Sequence, residues 1–345
     1  RALTRSRVIL DHLRVSTCAM STSPDDEVIL ERHGNKGVIT LNRPKALNAL
    51  NLSMIRKMYP VLKAWEDEAS FRMIIIKANG GKAFCAGGDI VAVTEAGKVD
   101  GQLAKDFFKE EYILNNFIGT TDIPYIALID GITMGGGVGL SVHGKYRVAT
   151  EKTIFAMPET GIGLFPDVGG GHFLPRLGGY LGRYLALTGF RLKGVDVYKA
   201  GIATHVVDSD KLVDLENELL NLKIAKEQSI VNVLNSYHDK SSIDKSQDFI
   251  LKPHQEEINQ LFSGQTLEEI FLNLERADTE WASKTLQTLK RMSPVSMKVT
   301  LRQIQEGASM MLQDVLQMEY RISQQCIAQK DFYEGVRAVL IDKDQ

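Results

Sequence analysis

Two segments of this chain share one arrangement, a short apolar run followed closely by clustered glycines. Met73 to Ile76 precede Gly80, Gly81, Gly87 and Gly88. The apolar stretch 124–130 precedes Gly131, Gly135, Gly136, Gly137 and Gly139. A short apolar run bounded by turn residues reads as a buried strand. Glycine just beyond it allows a sharp turn or the close approach of a ligand to the main chain. If a helix starts after each cluster, its first amide N–H groups have no partner within the helix. Two such groups, one from each loop, can hold a single oxyanion. A third glycine-rich segment, residues 157–171, adds two carboxylates, Glu159 and Asp167. Any one of these segments alone reads as a tight turn. All three in one chain are unlikely to arise by accident, and strands that alternate with helices along the chain point to parallel crossovers, an α/β class.

The flanking sequence fits that class. Residues 27–32 and 37–42 read as two strands around the polar turn 33–36, a hairpin. Ile55, Met58, Leu62 and Trp65 fall at helical spacing behind Asn51, a cap residue, although Pro60 interrupts the pattern. Beyond residue 209 glycine thins out and amphipathic stretches dominate, notably 212–222 and 299–327, which predicts a helical C-terminal third.

Composition narrows the function classes. The 41 Lys and Arg against 43 Asp and Glu leave a net charge of −2, with no basic excess for nucleic acid. No apolar run approaches the ~20 residues of a membrane helix. Cys18, Cys85 and Cys326 are too few and scattered for a disulfide framework and lack metal-ligand spacing. A reducing compartment fits, and neither a metal nor a redox cofactor is expected. Residues 1–23 carry Arg1, Arg5, Arg7 and Arg14 against one acid, Asp11, with many hydroxyl residues. That is the composition of an organelle transit peptide, though a loose chain terminus reads similarly.

Other chemistry-bearing patterns fall away. Residues 139–145 have the spacing of a phosphate loop, but Tyr146 stands where a magnesium-binding hydroxyl belongs. Neither a dinucleotide fingerprint nor a nucleophile elbow is present. His143, in an apolar glycine-rich segment, reads as a packed residue rather than a base.

The three glycine segments, together with Asn42-Arg43-Pro44, Leu47-Asn48-Ala49-Leu50 and the stretch 331–338, resemble the crotonase, or enoyl-CoA hydratase/isomerase, superfamily. The resemblance runs from about residue 26 to 208 and returns near the end. It implies an α/β fold with a crotonase-like ββα spiral core over residues 24–209 and a helical C-terminal region over 210–345. It also implies an acyl-CoA ligand, whose CoA is part of the substrate, and an oxyanion hole at the backbone N–H groups of Gly88 and Gly136. Hydratases of this superfamily carry one glutamate just after the second glycine loop and another in the Pro-Glu segment. Here the first position is Gly139, which cannot activate water, and the second is Glu159. Asp167 stands where hydratases carry a small residue. This combination is similar to the superfamily's thioester hydrolases, with Glu159 and Asp167 as catalytic residues. It implies hydrolysis of 3-hydroxyisobutyryl-CoA, and of 3-hydroxypropionyl-CoA, in valine breakdown in the mitochondrial matrix. Like-charge proximity to Asp167 is expected to raise the Glu159 pKa. The family places Glu111 at the acyl pocket, with Gly136, Glu159 and Asp167 as further substrate contacts. From the sequence alone Glu111 reads as a solvated helix charge. Two rival readings stay open, an enoyl-CoA isomerase using one carboxylate and a non-catalytic acyl-CoA-binding protein. Homo-oligomers built through C-terminal helices are a further implication of the resemblance.

Overall fold

Strands β1 (Val28–His33) and β2 (Lys36–Leu41) pair antiparallel across a turn of only two residues, with Gly34 at φ 64°. The four-residue polar turn expected from the sequence is thus half taken up by strand. The computed structural model describes residues 26–97 and 101–344. The segment 1–23, read above as a transit peptide, lies outside the described residues.

The remaining strands are β3 (Met73–Ala78), β4 (Ala83–Cys85), β5 (Tyr125–Ile129), β6 (Ile132–Met134), β7 (Tyr146–Ala149), β8 (Ile154–Ala156), β9 (Leu192–Lys193) and β10 (His205–Val206). They form a six-stranded sheet in the order β1-β2-β3-β5-β7-β10 and a four-stranded sheet in the order β4-β6-β8-β9. Among the described residues only the β1–β2 and β8–β9 pairs are antiparallel. In each of three successive turns the first strand (β3, β5, β7) enters the large sheet and the second (β4, β6, β8) the small one. This winding delivers the segments after β4, β6 and β8 side by side. That is how residues about 50 and 70 apart in sequence come to share one site.

The central strands are apolar because both of their faces are covered. Ile74, Ile76, Ala127 and Ile129 point into the main core. Met73, Ile75, Ile126, Leu128 and Val148 point the other way. There Leu215 and Leu219 of the Leu212–Leu220 helix, with Ile230 and Leu234 of the Glu227–Lys240 helix, close over them. Helices from Gln255 to Val336 pack on the opposite, main-core side.

Two helices differ from their sequence readings. The Leu52–Asp67 helix, capped by Asn51 Oδ1 on the Met54 amide at 2.8 Å, runs straight through Pro60. An interior proline costs about 3 kcal/mol. Six buried side chains, Met54, Ile55, Met58, Val61, Leu62 and Trp65, outweigh it at about 1.5–3 kcal/mol for each large apolar group. The single stretch 299–327 divides into helices Pro294–Gly307 and Leu312–Cys326. Gly307 lies so close to the Gly171 carbonyl oxygen that a Cβ there would fall 2.1 Å from it. Among the described residues no helix is long and apolar enough to cross a membrane.

Candidate active site

The loop after β4 is braced by the Asn42–Leu50 motif. Asn48, 1% exposed at φ 55°, donates from Nδ2 to the carbonyls of Asn79 and Ala83 and accepts from the Arg43 amide. Leu50 in turn forms a parallel bridge to Gly88. Its amide donates to the Gly87 carbonyl and its carbonyl accepts from the Asp89 amide, each at 2.8 Å. In such a bridge the Gly88 N–H faces away from Leu50, and it donates to no other backbone group among the described residues.

The loop after β6 needs glycine for two separate reasons. Gly135 adopts φ 45°, ψ −118°, a conformation L side chains avoid. At Gly137 a Cβ would sit 2.2 Å from the Cys85 carbonyl oxygen, so the two loops touch through bare backbone. Gly136 opens a helical segment of four residues, Gly136–Gly139, and its N–H has no partner within that turn. The helix expected after these glycines is thus a single turn. The amide nitrogen of Gly88 lies 3.2 Å from where a Gly136 Cβ would stand. The two glycine backbones named as an oxyanion hole are therefore adjacent.

Around them is a cavity of about 480 Å³ whose lining includes Gly88, Gly136, Glu111, Glu159 and Asp167. Every residue expected at the site is thus brought together. Glu159 begins a 3-10 turn after β8 and is 5% exposed. Its Oε1 lies 2.9 Å from the Cβ position of Gly135, and its Oε2 is buried without a partner. Burial holds this carboxyl well above the ordinary range, and the nearby Asp167 charge adds to the push. The like-charge effect expected from the sequence has the right sign but is the smaller cause. Asp167 is 4% exposed, and its Oδ2 accepts from the Tyr112 hydroxyl at 2.7 Å. Burial raises its pKa to about 7 despite that hydrogen bond, which lowers it.

Glu111 corrects the reading from sequence alone. It is 1% exposed rather than solvated, and its Oε1 has no partner and stands 2.7 Å from the Cβ position of Gly136. Burial, then Asp167, then Glu159 hold its pKa well above the usual value. Three carboxyl groups thus share one poorly solvated cavity, which favours protonated forms near neutrality. Cys85 is buried and its thiol is pushed up to about 12 by burial, leaving it inert as a nucleophile. His143 is a packing residue, as expected: Nε2 lies 2.7 Å from the Val168 carbonyl oxygen, and burial lowers its pKa to about 4. The carbonyl can only accept, so the proton is on Nε2.

The description Enoyl-CoA hydratase/isomerase belongs to the family model that matches residues 36–345. The chain belongs to the enoyl-CoA hydratase/isomerase family. Its relatives within that family include the mitochondrial 3-hydroxyisobutyryl-CoA hydrolase of Xenopus laevis, 63% identical over 99% of this chain and 88% of the relative. The protein of the same name from Homo sapiens is 60% identical over 100% of this chain and 88% of its own length. Among solved structures, a carnitinyl-CoA dehydratase from Mycobacterium thermoresistibile matches with a TM-score of 0.85 at 35% identity, covering 92% of this chain and 91% of that one. An enoyl-CoA hydratase from Rhodobacter sphaeroides 2.4.1 gives 0.82 at 36% identity, covering 92% and 90%.

Against that family background the geometry at Gly139 is informative. A Cβ there would lie 2.7 Å from Val168 Cβ and 2.8 Å from Asn115 Nδ2. A glutamate side chain has no room, so the glycine is built into the packing. Two buried polar residues near the site were not assigned roles from the sequence. Tyr112 lies beside Glu111 on the Gln102–Thr120 helix and was given no role of its own. Glu319, 0% exposed, lies within the stretch 299–327, which was read only as amphipathic helix.

Proposed function

We propose that this protein hydrolyses the thioester of 3-hydroxyisobutyryl-CoA to 3-hydroxyisobutyrate and CoA, a step of valine catabolism, in mitochondria. The reading rests on one observation above others: Glu159 and Asp167 share a cavity with two adjacent, unspent backbone amides, while Gly139 leaves no space for a second glutamate. The names of the relatives at 58–63% identity support the substrate and the compartment. The Arg-rich, acid-poor composition of residues 1–23 agrees with the compartment.

In this reading the thioester carbonyl oxygen accepts hydrogen bonds from the Gly88 and Gly136 amides. Those bonds strengthen as the carbonyl carbon becomes tetrahedral and negative charge develops on the oxygen. Glu159 then acts in one of two ways. As a nucleophile, its carboxylate forms a C–O bond to the acyl carbon, the C–S bond breaks, and CoA leaves as a thiolate that takes a proton. Water then cleaves the resulting anhydride. As a general base, Glu159 instead takes a proton from a water that attacks the same carbon directly; the C–S bond then breaks and the departing CoA thiolate takes up a proton. Both roles need the ionised carboxylate, and the pKa that burial raises makes it a stronger base for the second. Asp167 orients the water or the substrate 3-hydroxyl, and Glu111, close beside Gly136, lines the acyl pocket. Only water and the acyl-CoA are consumed, so this chemistry calls for no further cofactor. Association through the C-terminal helices into a homo-oligomer belongs to the same proposal.

Release of free CoA thiol from a panel of acyl-CoAs tests the reading. 3-Hydroxyisobutyryl-CoA is expected to be cleaved fastest, with 3-hydroxypropionyl-CoA slower or comparable. Isobutyryl-CoA should be slower by about tenfold or more, because a buried polar partner of the hydroxyl would be left unpaired at about 1–3 kcal/mol. Conversion of an enoyl-CoA without thiol release would favour the isomerase. Absence of any turnover would favour a binding protein.

A further inference from the structure

We propose that Glu319 is a positioning residue for Asp167: it grips the Gly169 and Gly171 amides just beyond Asp167 and so fixes the turn that aims this carboxylate into the cavity. Glu319 lies on the Leu312–Cys326 helix, is 0% exposed, and is not part of the cavity lining. Its Oε2 accepts from the Gly169 amide at 2.7 Å. Its Oε1 accepts from the Gly171 amide at 2.9 Å and from Gln303 Nε2 at 2.8 Å. The same Gln303 nitrogen donates to the Pro166 carbonyl at 2.8 Å, on the other side of Asp167. His143 Nε2 holds the Val168 carbonyl. Three side chains from three parts of the chain therefore fix four backbone atoms of residues 166–171.

That grip has something to hold. Val168 adopts φ 51°, a left-handed conformation that is a true outlier for a β-branched residue. Such strain costs about 1–3 kcal/mol and persists only where the surroundings over-determine it. Relaxation of Val168 would rotate the chain on one side of it and turn Asp167 away from Tyr112 and the cavity. The chemistry of the anchor also matters. Two amide donors converge on one side chain, so both of its terminal atoms must accept. A carboxylate meets that need. A glutamine would set an NH₂ group against one of the amides. Burial pushes the Glu319 pKa up to about 8 against the lowering by its Gly171, Gly169 and Gln303 bonds, and the three donors that converge on its two oxygens hold the carboxylate form.

The inference rests on the reading of Asp167 as a participant in hydrolysis, and a four-protein cycle separates the two. Wild type, D167N, E319Q and the double variant are compared for kcat and KM on 3-hydroxyisobutyryl-CoA, with circular dichroism and Tm recorded for each. E319Q is expected to lower kcat by about tenfold or more while KM stays within about twofold, the mark of an interaction felt in the transition state. In the D167N background the same change should cost less than about twofold, because residues acting through one another are non-additive. If E319Q does not fold, Q303M takes its place, since it removes the link between Pro166 and Glu319. Its smaller loss should vanish in the same background. Equal losses in both backgrounds, or full activity of E319Q, would overturn the inference while a slowed D167N left the reading of Asp167 intact. A fully active D167N would remove that reading and the inference together.

Discussion

Tyr112 and Asp167 form the contact at which a single atom can be tested. The phenol donates to Asp167 Oδ2 at 2.7 Å and lowers the pKa of a carboxyl that burial has raised to about 7. Tyr112→Phe removes that bond, so the Asp167 pKa should rise. If ionised Asp167 is needed, kcat/KM climbs as pH increases through neutrality, and in the variant this limb should move to higher pH. A kcat/KM profile between about pH 5.5 and 9 checks the sign, and a limb that stays put or moves down contradicts it. The sequence made Glu159 and Asp167 legible because each stands alone among glycines and prolines. Glu111 was not legible in that way, since an acid on an amphipathic helix is usually solvated. A signal was nevertheless present. Ala104, Phe107, Phe108, Glu111, Asn115 and Ile118 follow a single helical stripe, and all six are buried. An acid in the middle of a largely apolar stripe marks a carboxyl group that the fold buries. Glu319 offered no comparable mark, because its partners are backbone amides some 150 residues away.

At the scale of elements, the second glycine loop makes the firmest prediction. Gly136→Pro deletes the N–H assigned to the oxyanion hole. Its kcat is expected to fall about 10²–10³-fold, the usual worth of one such donor. Circular dichroism and Tm decide whether the loop still folds, and a folded variant with full turnover would remove Gly136 from the hole. Gly135→Ala should be damaging for a different reason. Its Cβ would stand 2.9 Å from Glu159 Oε1 in a backbone conformation that disfavours any side chain. Strands β3 and β5 were readable because burial on both faces gives them short apolar runs, and β2 because a polar turn sets it off as one arm of a hairpin. The passage of a helix through Pro60 was not readable, because the packing that holds it comes from elsewhere in the chain. Nor was the break after Gly307, which depends on contact with Gly171 in a distant loop.

Over the whole molecule, three buried carboxyls couple the site to stability. The Glu111 pKa is raised above its unfolded value of 4.5, so between that value and the folded one the native state binds more protons than the unfolded state. Its contribution to stability therefore falls as pH rises through that window. Glu111→Gln removes the ionisation. Its Tm should exceed that of wild type, and the difference should grow from pH 5 to pH 8, at roughly 2–4 °C per kcal/mol recovered. Activity should drop at the same time, as expected where a site holds unfavourable charge for its chemistry. A constant or shrinking Tm difference across that range would contradict the sign. The spiral of the two sheets makes such a cavity possible, since it collects loops from three successive turns around residues that water reaches poorly.

The central claim is that Glu159 acts on a thioester held by two backbone amides. It is tested most directly by CoA release from 3-hydroxyisobutyryl-CoA with Glu159→Gln, alongside the binding affinity of the same ester and the Tm. Glutamine keeps the shape and removes the charge needed for attack or proton abstraction. The expected result is a kcat lower by at least ~10²-fold with binding and folding preserved. Turnover near that of wild type would contradict both the nucleophilic and the general-base routes.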